Sequence, residues 1–367
     1  MRPVLFATGH APAYRVGAFA RLHEHEDIEV ALFGGRSKHG GEAFAGDLPF
    51  PNRRVRQREL AALAASGHYR AVVCPTGGRV APGATWVGAR RAGVPLILWA
   101  SLWAHPRTAA HALSYLPLRQ LYRSADAVVT YGPHVSAYVR ARGARNVHVA
   151  RQSVDNDFWS AAAVAAPSDP SWPAEAEVKF LFVGRPTREK GLAVLIEAWR
   201  ASGLRAPTAA LVLVGVGSIP PWVAADAAQG QGRDEVVYLD PVGPLELRDL
   251  YAASDVLVLP SIPTRTFREP WGLVVNEAMN QGLAVIATDA VGAAAGGLVR
   301  DGHNGLVVPA GDRAALADAI AQLAGDAPLR ARLGRAGADD VRAFSHDAWA
   351  RGFSGALASL DLSRGRW

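Results

Sequence analysis

Two glutamates that lie eight residues apart offer carboxylates in different surroundings. Glu269 precedes a Pro-X-Gly turn, whereas Glu277 lies in a run of good helix formers that extends from Leu273 to Gly282. The sequence therefore predicts Glu269 in a loop and Glu277 on the helix that follows. The two carboxylates then need not touch and can contact different parts of one elongated ligand. The alternative is an ordinary exposed glutamate at each place.

The turn between these glutamates has the features of an anion site. The backbone N–H groups of Trp271, Gly272 and Leu273 open the predicted helix, and the helix dipole adds positive potential there. An anion site beside two carboxylates that can bind hydroxyl groups fits a nucleotide sugar.

A second loop carries two cations that are candidates for phosphate binding. The strand predicted at 179–184 ends at Gly184, and Arg185 and Lys190 follow it in the connection to the next helix. Arginine offers a planar fork of donors and lysine a point charge, which together suit a diphosphate. The alternative is a solvated basic loop, but this loop belongs to the same half of the chain as the glutamates, which favours the diphosphate.

These motifs resemble those of the retaining glycosyltransferases of family 4 (glycosyltransferase group 1), which have the GT-B fold. They read Gly-Arg-X-X-X-Glu-Lys-Gly at 184–191 and Glu-Pro-Trp-Gly-X-X-X-X-Glu-Ala-Met at 269–279. The resemblance covers nearly all of residues 178–325 and is weaker in the first half of the chain. Further matching pieces lie at 213–217, 253–261 and 304–309.

The resemblance implies a role for each matching residue. Arg185 and Lys190 would bind the donor diphosphate and stabilise the leaving group, and Glu277 would bind the ribose hydroxyls. Glu269 would hold hydroxyls of the donor sugar and face the reacting carbon, while the turn at 271–273 would meet the sugar and phosphate through backbone amides. Family members generally need no metal, and two cations with a helix terminus can neutralise a leaving diphosphate. We therefore expect no metal, no cofactor and a UDP- or GDP-sugar as the donor.

The first half departs from the family pattern in two places. Many relatives carry a glycine-rich loop after the first strand, where the backbone approaches the phosphates. This chain has Ala-Thr-Gly-His-Ala-Pro at 7–12, so Gly9 is the one glycine that can serve as a donor-binding residue. Relatives often carry Pro-Asn-Gly-Val-Asp before the interdomain linker, where this chain has Arg-Gln-Ser-Val-Asp at 151–155.

His105 follows the strand predicted at 95–101. In the family a histidine near this place contacts the donor sugar, and we favour this catalytic role over a histidine that merely precedes Pro106 at a helix entry. Trp99, Trp103 and Trp271 are candidates for stacking on a sugar face, although aromatic side chains belong to the core more often.

Short apolar runs recur along the chain with helix-like spacers between them. Most are continuous, which is typical of strands buried on both faces of a parallel sheet. Their alternation with helical segments predicts an α/β protein with doubly wound parallel sheets. The runs lie at 3–8, 28–34, 71–75, 95–101, 127–132, 147–151, 179–184, 210–215, 236–240, 256–260, 283–288 and 305–309.

The segment 161–173 interrupts this rhythm with three prolines and small residues, and it is predicted to be an interdomain linker. The sequence thus predicts a Rossmann-like acceptor-side domain at 1–163 and a Rossmann-like donor domain at 174–345. In the GT-B arrangement the two would face across a cleft, where ligands bind at the carboxyl ends of the strands. Helical spacing at 346–360 predicts that the segment 346–367 packs back on the first domain.

The composition excludes several classes of protein. Half of the 367 residues are apolar and a fifth are charged, as in globular chains. Cys74 is the one cysteine, which excludes an internal disulfide and a thiolate zinc cluster. No apolar run is long enough for a transmembrane helix, and we expect a cytoplasmic protein.

The net charge of +6 is divided unevenly, because residues 1–160 carry +10 and the remainder −4. A basic N-terminal half can attract an anionic partner, but no nucleic-acid signature accompanies the charge, so we expect no nucleic acid. A helix is predicted over 109–121, where Leu113, Leu116 and Leu121 could form one apolar face between basic ends. Such a helix suits a lipid-linked acceptor and peripheral contact with the inner face of the membrane. The alternative, which we favour, is an ordinary domain helix. The arginines of the two basic segments are Arg53, Arg54, Arg56, Arg58, Arg107, Arg119 and Arg123.

The sequence favours a retaining glycosyltransferase that moves a sugar from a nucleotide-diphosphate sugar to a hydroxyl acceptor. The acceptor is left open between a glycan, as in polysaccharide biosynthesis, a lipid-linked glycan and a small metabolite. The alternatives are another GT-B enzyme, such as a nucleotide-sugar epimerase or a sugar phosphorylase, and a non-catalytic nucleotide-sugar binder. Only Lys38, Lys179 and Lys190 could anchor a pyridoxal phosphate for a phosphorylase. The lack of Gly-X-Gly-X-X-Gly after the first strand argues against a dinucleotide dehydrogenase.

Overall fold

The computed structural model describes residues 1–34, 47–218 and 236–365. It contains two compact units, the first formed by Met1–Asp155 with Phe344–Trp367 and the second by Asn156–Ala343. Each unit contains one parallel sheet, with seven strands in the first and six in the second.

The sheet of the first unit has the strand order β3-β2-β1-β4-β5-β6-β7. Each neighbouring pair is parallel. The strands are β1 (Val4–Thr8), β2 (Ile28–Leu32), β3 (Asn52–Arg54), β4 (Ala71–Pro75), β5 (Leu96–Ala100), β6 (Ala127–Thr130) and β7 (Val147–Val149).

Helices cover both faces of this sheet. Phe6 of β1 lies in a core with residues of α1 and α13, while its neighbour Leu5 lies in a second core with residues of α2, α3, α4 and α5. Successive side chains of a strand point to opposite faces, so a strand between two cores must be apolar throughout. The helices are α1 (Ala13–Glu26), α2 (Leu60–Ala64), α3 (Ala81–Ala92), α4 (Ala109–Ser124), α5 (Pro133–Arg140) and, from the C-terminal segment, α13 (His346–Ala358).

The sheet of the second unit has the order β10-β9-β8-β11-β12-β13 and is parallel at each pair. Its strands are β8 (Val178–Val183), β9 (Ala209–Val214), β10 (Val236–Leu239), β11 (Val256–Leu259), β12 (Ala284–Thr288) and β13 (Leu306–Val308). The helices that the structure describes are α6 (Asn156–Ser160), α7 (Leu192–Ser202), α8 (Pro244–Ala252), α9 (Val274–Asn280), α10 (Gly292–Ala295), α11 (Arg313–Gly325) and α12 (Ala327–Val341).

The predicted fold class is confirmed, and each apolar run that predicts a strand forms one, with ends that differ by one or two residues. The sequence missed β3. All three of its residues are exposed at the sheet edge, so this strand has no buried face and leaves no apolar pattern.

Two further differences concern α4 and the segment after Asp155. Leu113 and Leu116 are 82% and 68% exposed, whereas Leu121 packs against the core, so the prediction of one shared apolar face is wrong. The angular step between residues of a helix turns Leu121 away from the other two. The segment 161–173 lies in the second unit, where the side-chain amide of Gln281 donates to the carbonyl oxygen of Ala161 at 2.9 Å.

Candidate functional site

Two loops of the second unit start at the same sheet edge. β8 and β11 are neighbours in the sheet, so the loops that follow them, 184–191 and 260–273, begin side by side. The backbone N–H of Ile262 donates to the carbonyl oxygen of Glu189 at 2.9 Å. Gly191 permits this approach, because its φ is +70° and a Cβ there would overlap the carbonyl oxygen of Pro260.

This approach joins two of the predicted site residues in an ion pair. Lys190 Nζ donates to Glu269 Oε2 at 2.6 Å, and the two side chains are 17% and 7% exposed. The lysine predicted for the diphosphate thus has as its partner the carboxylate that was predicted to bind the sugar. An ammonium group has three donors, so this hydrogen bond leaves two for other acceptors.

A buried hydroxyl also holds Glu269. Ser261 Oγ donates to Glu269 Oε2 at 3.3 Å, and Ser261 is fully buried. The carbonyl oxygen of Ser261 in turn accepts a hydrogen bond from Thr288 Oγ1 at 2.5 Å. The loops that follow β8 and β11, together with the last residue of β12, therefore fix the position of one carboxylate. These three strands are neighbours in the sheet.

Arg185 follows Gly184 directly and is exposed. In the portion of the chain that the structure covers, its side chain has no hydrogen bond or ion pair to another residue. Of the two cations that were predicted to bind the diphosphate, one is therefore held by a carboxylate and the other projects into solvent. This division suits two roles, since a solvated guanidinium can reach a phosphate while a fixed ammonium shapes the site.

The turn at 271–273 is anchored by a buried ring. Trp271 is 3% exposed, and its Nε1–H donates to Asn276 Oδ1 at 2.8 Å. Gly272 has a φ of +93°, and a Cβ there would lie 2.6 Å from Leu259 Cδ2. The ring of Trp271 therefore belongs to the core, the commoner role of aromatic side chains. The backbone of Gly272 and Leu273 leads into α9, close to the predicted helix start.

Glu277 lies on α9, as predicted, and is partly exposed. Tyr251 Oη lies 2.9 Å from Glu277 Oε2. Burial raises the pKa of the Glu277 carboxyl to about 7, and the hydrogen bond from Tyr251 opposes this rise. Burial, followed by the charge of Glu277, raises the pKa of Tyr251 well above its ordinary value. Tyr251 therefore keeps its proton and is the donor in this pair.

Two predicted site residues belong to the first unit. Gly9 comes directly after β1, and its carbonyl oxygen accepts from the backbone N–H of Gly34 at 3.0 Å. His105 Nε2 lies 2.8 Å from the carbonyl oxygen of His111, and Nδ1 lies 3.3 Å from Tyr138 Oη. A carbonyl only accepts, so Nε2 carries the proton and Nδ1 accepts from the tyrosine. Both nitrogens of His105 are therefore engaged within the first unit.

The structure thus places Gly184, Lys190 and Glu269 together, with Arg185 beside them and Glu277 on the next helix. Sequence reasoning missed Ser261 and Tyr251 as partners of the two carboxylates. Ser261 left a signal, because a polar residue directly after a buried strand lies at the edge where ligands bind. Tyr251 left none, since a tyrosine on the buried face of a helix resembles any other core residue.

Two structural features are absent from the described residues. Within 1–34, 47–218 and 236–365, no helix combines the length and apolar character that crossing a bilayer requires. Over the same residues, no three His, Cys, Asp or Glu side chains form a group that could hold a metal ion.

The family model and the first curated relatives that match this chain are all glycosyltransferases. The model of the family described as glycosyl transferases group 1 matches residues 177–326. A D-inositol 3-phosphate glycosyltransferase of Corynebacterium aurimucosum is 36% identical over 173 residues, which cover 45% of this chain and 39% of that protein. The protein of the same name from Xylanimonas cellulosilytica is 32% identical over 306 residues, which cover 76% of this chain and 68% of that one. The chain spans about two fifths of the length of the first curated relatives that it matches.

The whole chain also resembles a solved structure. Anabaena Alr3699/HepE in complex with UDP and glucose gives a TM-score of 0.74 at 18% identity, covering 98% of this chain and all of that one. At this identity the likeness concerns the fold. Together with the two parallel-sheet units, it identifies the GT-B fold.

Proposed function

We propose that this chain, which belongs to the glycosyl transferases group 1 family, is a retaining glycosyltransferase of family 4. It moves a sugar from a nucleotide-diphosphate sugar to a hydroxyl acceptor without a metal ion. The observation that carries this proposal is the Lys190–Glu269 pair beside the exposed Arg185 at one sheet edge. Cations for a diphosphate and a carboxylate for sugar hydroxyls then lie next to each other, as a nucleotide sugar requires.

The donor is a UDP-sugar or a GDP-sugar. The Anabaena protein was solved with UDP and glucose, and also with UDP-glucose, which supports a nucleotide sugar for a chain of the same fold. In the present chain, Arg185 and the free donors of Lys190 bind the two phosphates. Glu277 accepts hydrogen bonds from the ribose hydroxyls, and Gly9, which follows the first strand, is a further donor-binding residue in this proposal.

Transfer proceeds on the face of the sugar from which the diphosphate leaves. The bond between the anomeric carbon and the phosphate oxygen breaks, and the acceptor oxygen forms its bond to the same face. The acceptor proton passes to the departing phosphate oxygen. Arg185 and Lys190 stabilise the charge that develops on the diphosphate, and Glu269 orients the sugar through its hydroxyls.

His105 contributes to the donor sugar site in this proposal. Its ring orientation is already fixed by His111 and Tyr138, and an Nε2–H tautomer held in this way needs no reorganisation when a ligand arrives. Tyr138→Phe, which removes one of these hydrogen bonds and leaves the carbonyl of His111 in place, should therefore impair transfer less than the change of His105 itself.

The exposed face of α4 supports a peripheral contact with an anionic membrane surface. Leu113 and Leu116 are the two most exposed leucines of the chain's described part, and Arg119 and Arg123 on the same helix are also exposed. Exposed leucines beside arginines favour an anionic lipid surface. Leu113→Ser with Leu116→Ser should abolish co-sedimentation with phosphatidylglycerol vesicles, and unchanged co-sedimentation would contradict the proposal.

The alternatives differ in what they require of this site. A phosphorylase that uses pyridoxal phosphate needs a lysine that is free to form an imine, but Lys190 is paired with Glu269 and Lys179 Nζ donates to the carbonyl oxygen of Ala176 at 2.6 Å. Lys38 lies outside the residues that the structure describes. A nucleotide-sugar epimerase or a non-catalytic binder would use the same donor site, so only an assay of transfer separates them from the proposal.

The test begins with thermal shifts against nucleoside diphosphates and nucleotide sugars, with and without EDTA. A ligand at 100 times its dissociation constant stabilises the fold by about 2.7 kcal/mol. We expect a selective shift that EDTA does not change, followed by incorporation of labelled sugar into an acceptor with release of the diphosphate. Arg185→Ala should weaken diphosphate binding at least tenfold, about the worth of one charge-assisted hydrogen bond. Unchanged affinity by calorimetry would refute the phosphate site.

A further inference from the structure

The hydroxyl of Tyr251 makes a buried contact with the Glu277 carboxylate. Tyr251 lies near the end of α8 and is fully buried. Its ring packs edge-on against Trp159 of α6, with the ring centroids 5.8 Å apart. Its hydroxyl donates to Glu277 Oε2 on α9 at 2.9 Å. One aromatic side chain therefore connects three helices and ends on a carboxylate that is partly exposed.

Because of this contact, the two carboxylate oxygens of Glu277 differ in their hydrogen bonding. Oε2 accepts the hydroxyl of Tyr251, whereas Oε1 has no hydrogen-bond partner among residues 1–34, 47–218 and 236–365. A glutamate side chain has several rotatable bonds, and ordering it on a ligand loses conformational entropy. A hydrogen bond from a rigid, buried phenol removes much of that freedom before the ligand arrives.

We propose that Tyr251 is a positioning residue for nucleotide binding, which holds Oε2 of Glu277 so that Oε1 is presented to the ribose hydroxyls. This inference rests on the proposed function, because it takes Glu277 as the ribose-binding group. It assigns to Tyr251 a share in the recognition of ribose, although Tyr251 itself does not touch the ligand.

The consequence is specific to the sugar of the nucleotide. A hydroxyl that positions Glu277 strengthens binding of a ribonucleotide more than that of its 2′-deoxy form, which lacks one of the hydroxyls that Glu277 binds. The diphosphate and the base contribute equally to both ligands. The ratio of the two dissociation constants therefore isolates this contribution, whereas a merely structural tyrosine would change both constants alike.

The experiment is calorimetric titration of UDP and 2′-deoxy-UDP, and of GDP and 2′-deoxy-GDP, into wild type and Tyr251→Phe. We expect wild type to prefer the ribonucleotide of one pair, and Tyr251→Phe to reduce that preference by a factor of about three to ten. The control is Tyr122→Phe, which removes the hydroxyl of an equally buried tyrosine in the first unit and should leave the preference unchanged.

The outcomes separate the inference from the proposed function. If wild type binds neither diphosphate, the proposed function fails. If wild type prefers the ribonucleotide and Tyr251→Phe keeps the full preference, with or without a lower melting temperature, the inference is overturned. Should Tyr251→Phe not fold because it leaves the Glu277 carboxylate without its donor, the comparison is made between Glu277→Gln and Glu277→Gln with Tyr251→Phe, in which residue 277 carries no charge. Glutamine can still accept from Tyr251, so its residual preference should fall in the double variant, and an unchanged preference would again overturn the inference.

Discussion

Replacement of Glu277 by glutamine should stabilise the protein at alkaline pH more than at acidic pH. Burial raises the pKa of Glu277 from its ordinary value of 4.5 to about 7. The folded protein therefore binds a proton that the unfolded chain has already lost at pH values between these two. Stability then falls as the pH rises through this interval and is level above it. Glutamine, which has no charge to desolvate, removes this dependence.

The magnitude follows from the two pKa values. A difference of about 2.5 pH units corresponds to about 3 kcal/mol in full, most of which is expressed between pH 5 and pH 8. The assay is urea denaturation of wild type, Glu277→Gln and Glu175→Gln at several pH values in this range. Glu175 is an exposed glutamate of the same unit and should show no such trend. A difference between wild type and Glu277→Gln that is constant from pH 5 to pH 8 would refute the reasoning.

Three further predictions concern the loops at the sheet edge. Lys190→Met should lower the free energy of unfolding by about 2–4 kcal/mol at pH 8, because it leaves the buried Glu269 carboxylate without its cation. In a Glu269→Gln background the loss measured by urea denaturation should be much smaller, and equal losses would contradict the pairing. Gly191→Ala should destabilise severely, since backbone blocks the space for a Cβ, whereas Gly203→Ala, at nearly the same φ with open space around it, should cost only about 1–2 kcal/mol in the same assay. Glu269→Ala should lose transfer of labelled sugar while it still binds the diphosphate by calorimetry, and full turnover would disprove its assigned role.

The strands could be predicted because a parallel sheet covered on both faces leaves an unmistakable pattern. In β9 and β11, every residue is apolar and buried, so no solvent-facing position interrupts the run. β3 could not be predicted in this way, because its side chains are exposed and its links to β2 are backbone hydrogen bonds and the ion pair between Arg53 and Glu29. α4 was predicted as a helix, but the direction of each leucine depends on which face packs on the sheet.

The sequence could predict which elements carry the two glutamates, but it could not predict which side chains they contact. Loop and helix were assigned correctly to Glu269 and Glu277, because a Pro-X-Gly turn separates them from each other. The pairing of Lys190 with Glu269 depends instead on β8 and β11 being adjacent in the sheet, although β9 and β10 lie between them in the sequence. Spacing along one chain does not contain the order of strands in a sheet, so the ion pair and its supporting hydroxyl from Ser261 required the structure.

The two carboxylates have partners of different charge, and this difference affects how the site binds an anionic ligand. Glu269 has a cation and a hydroxyl as partners, so its charge is balanced before a ligand arrives. Within the part of the chain that the structure describes, the side chain of Glu277 has one hydrogen-bond partner, the neutral hydroxyl of Tyr251 on Oε2, and its pKa of about 7 leaves it partly protonated at neutral pH. A diphosphate bound nearby would favour the protonated form further, while ribose hydroxyls that donate to Oε1 favour the ionised form.

Donor binding should therefore be accompanied by a small uptake or release of protons near pH 7, and calorimetry in buffers of different ionisation enthalpy measures its sign. Glu277→Gln should abolish this proton exchange, and its persistence in that variant would place the titrating group elsewhere.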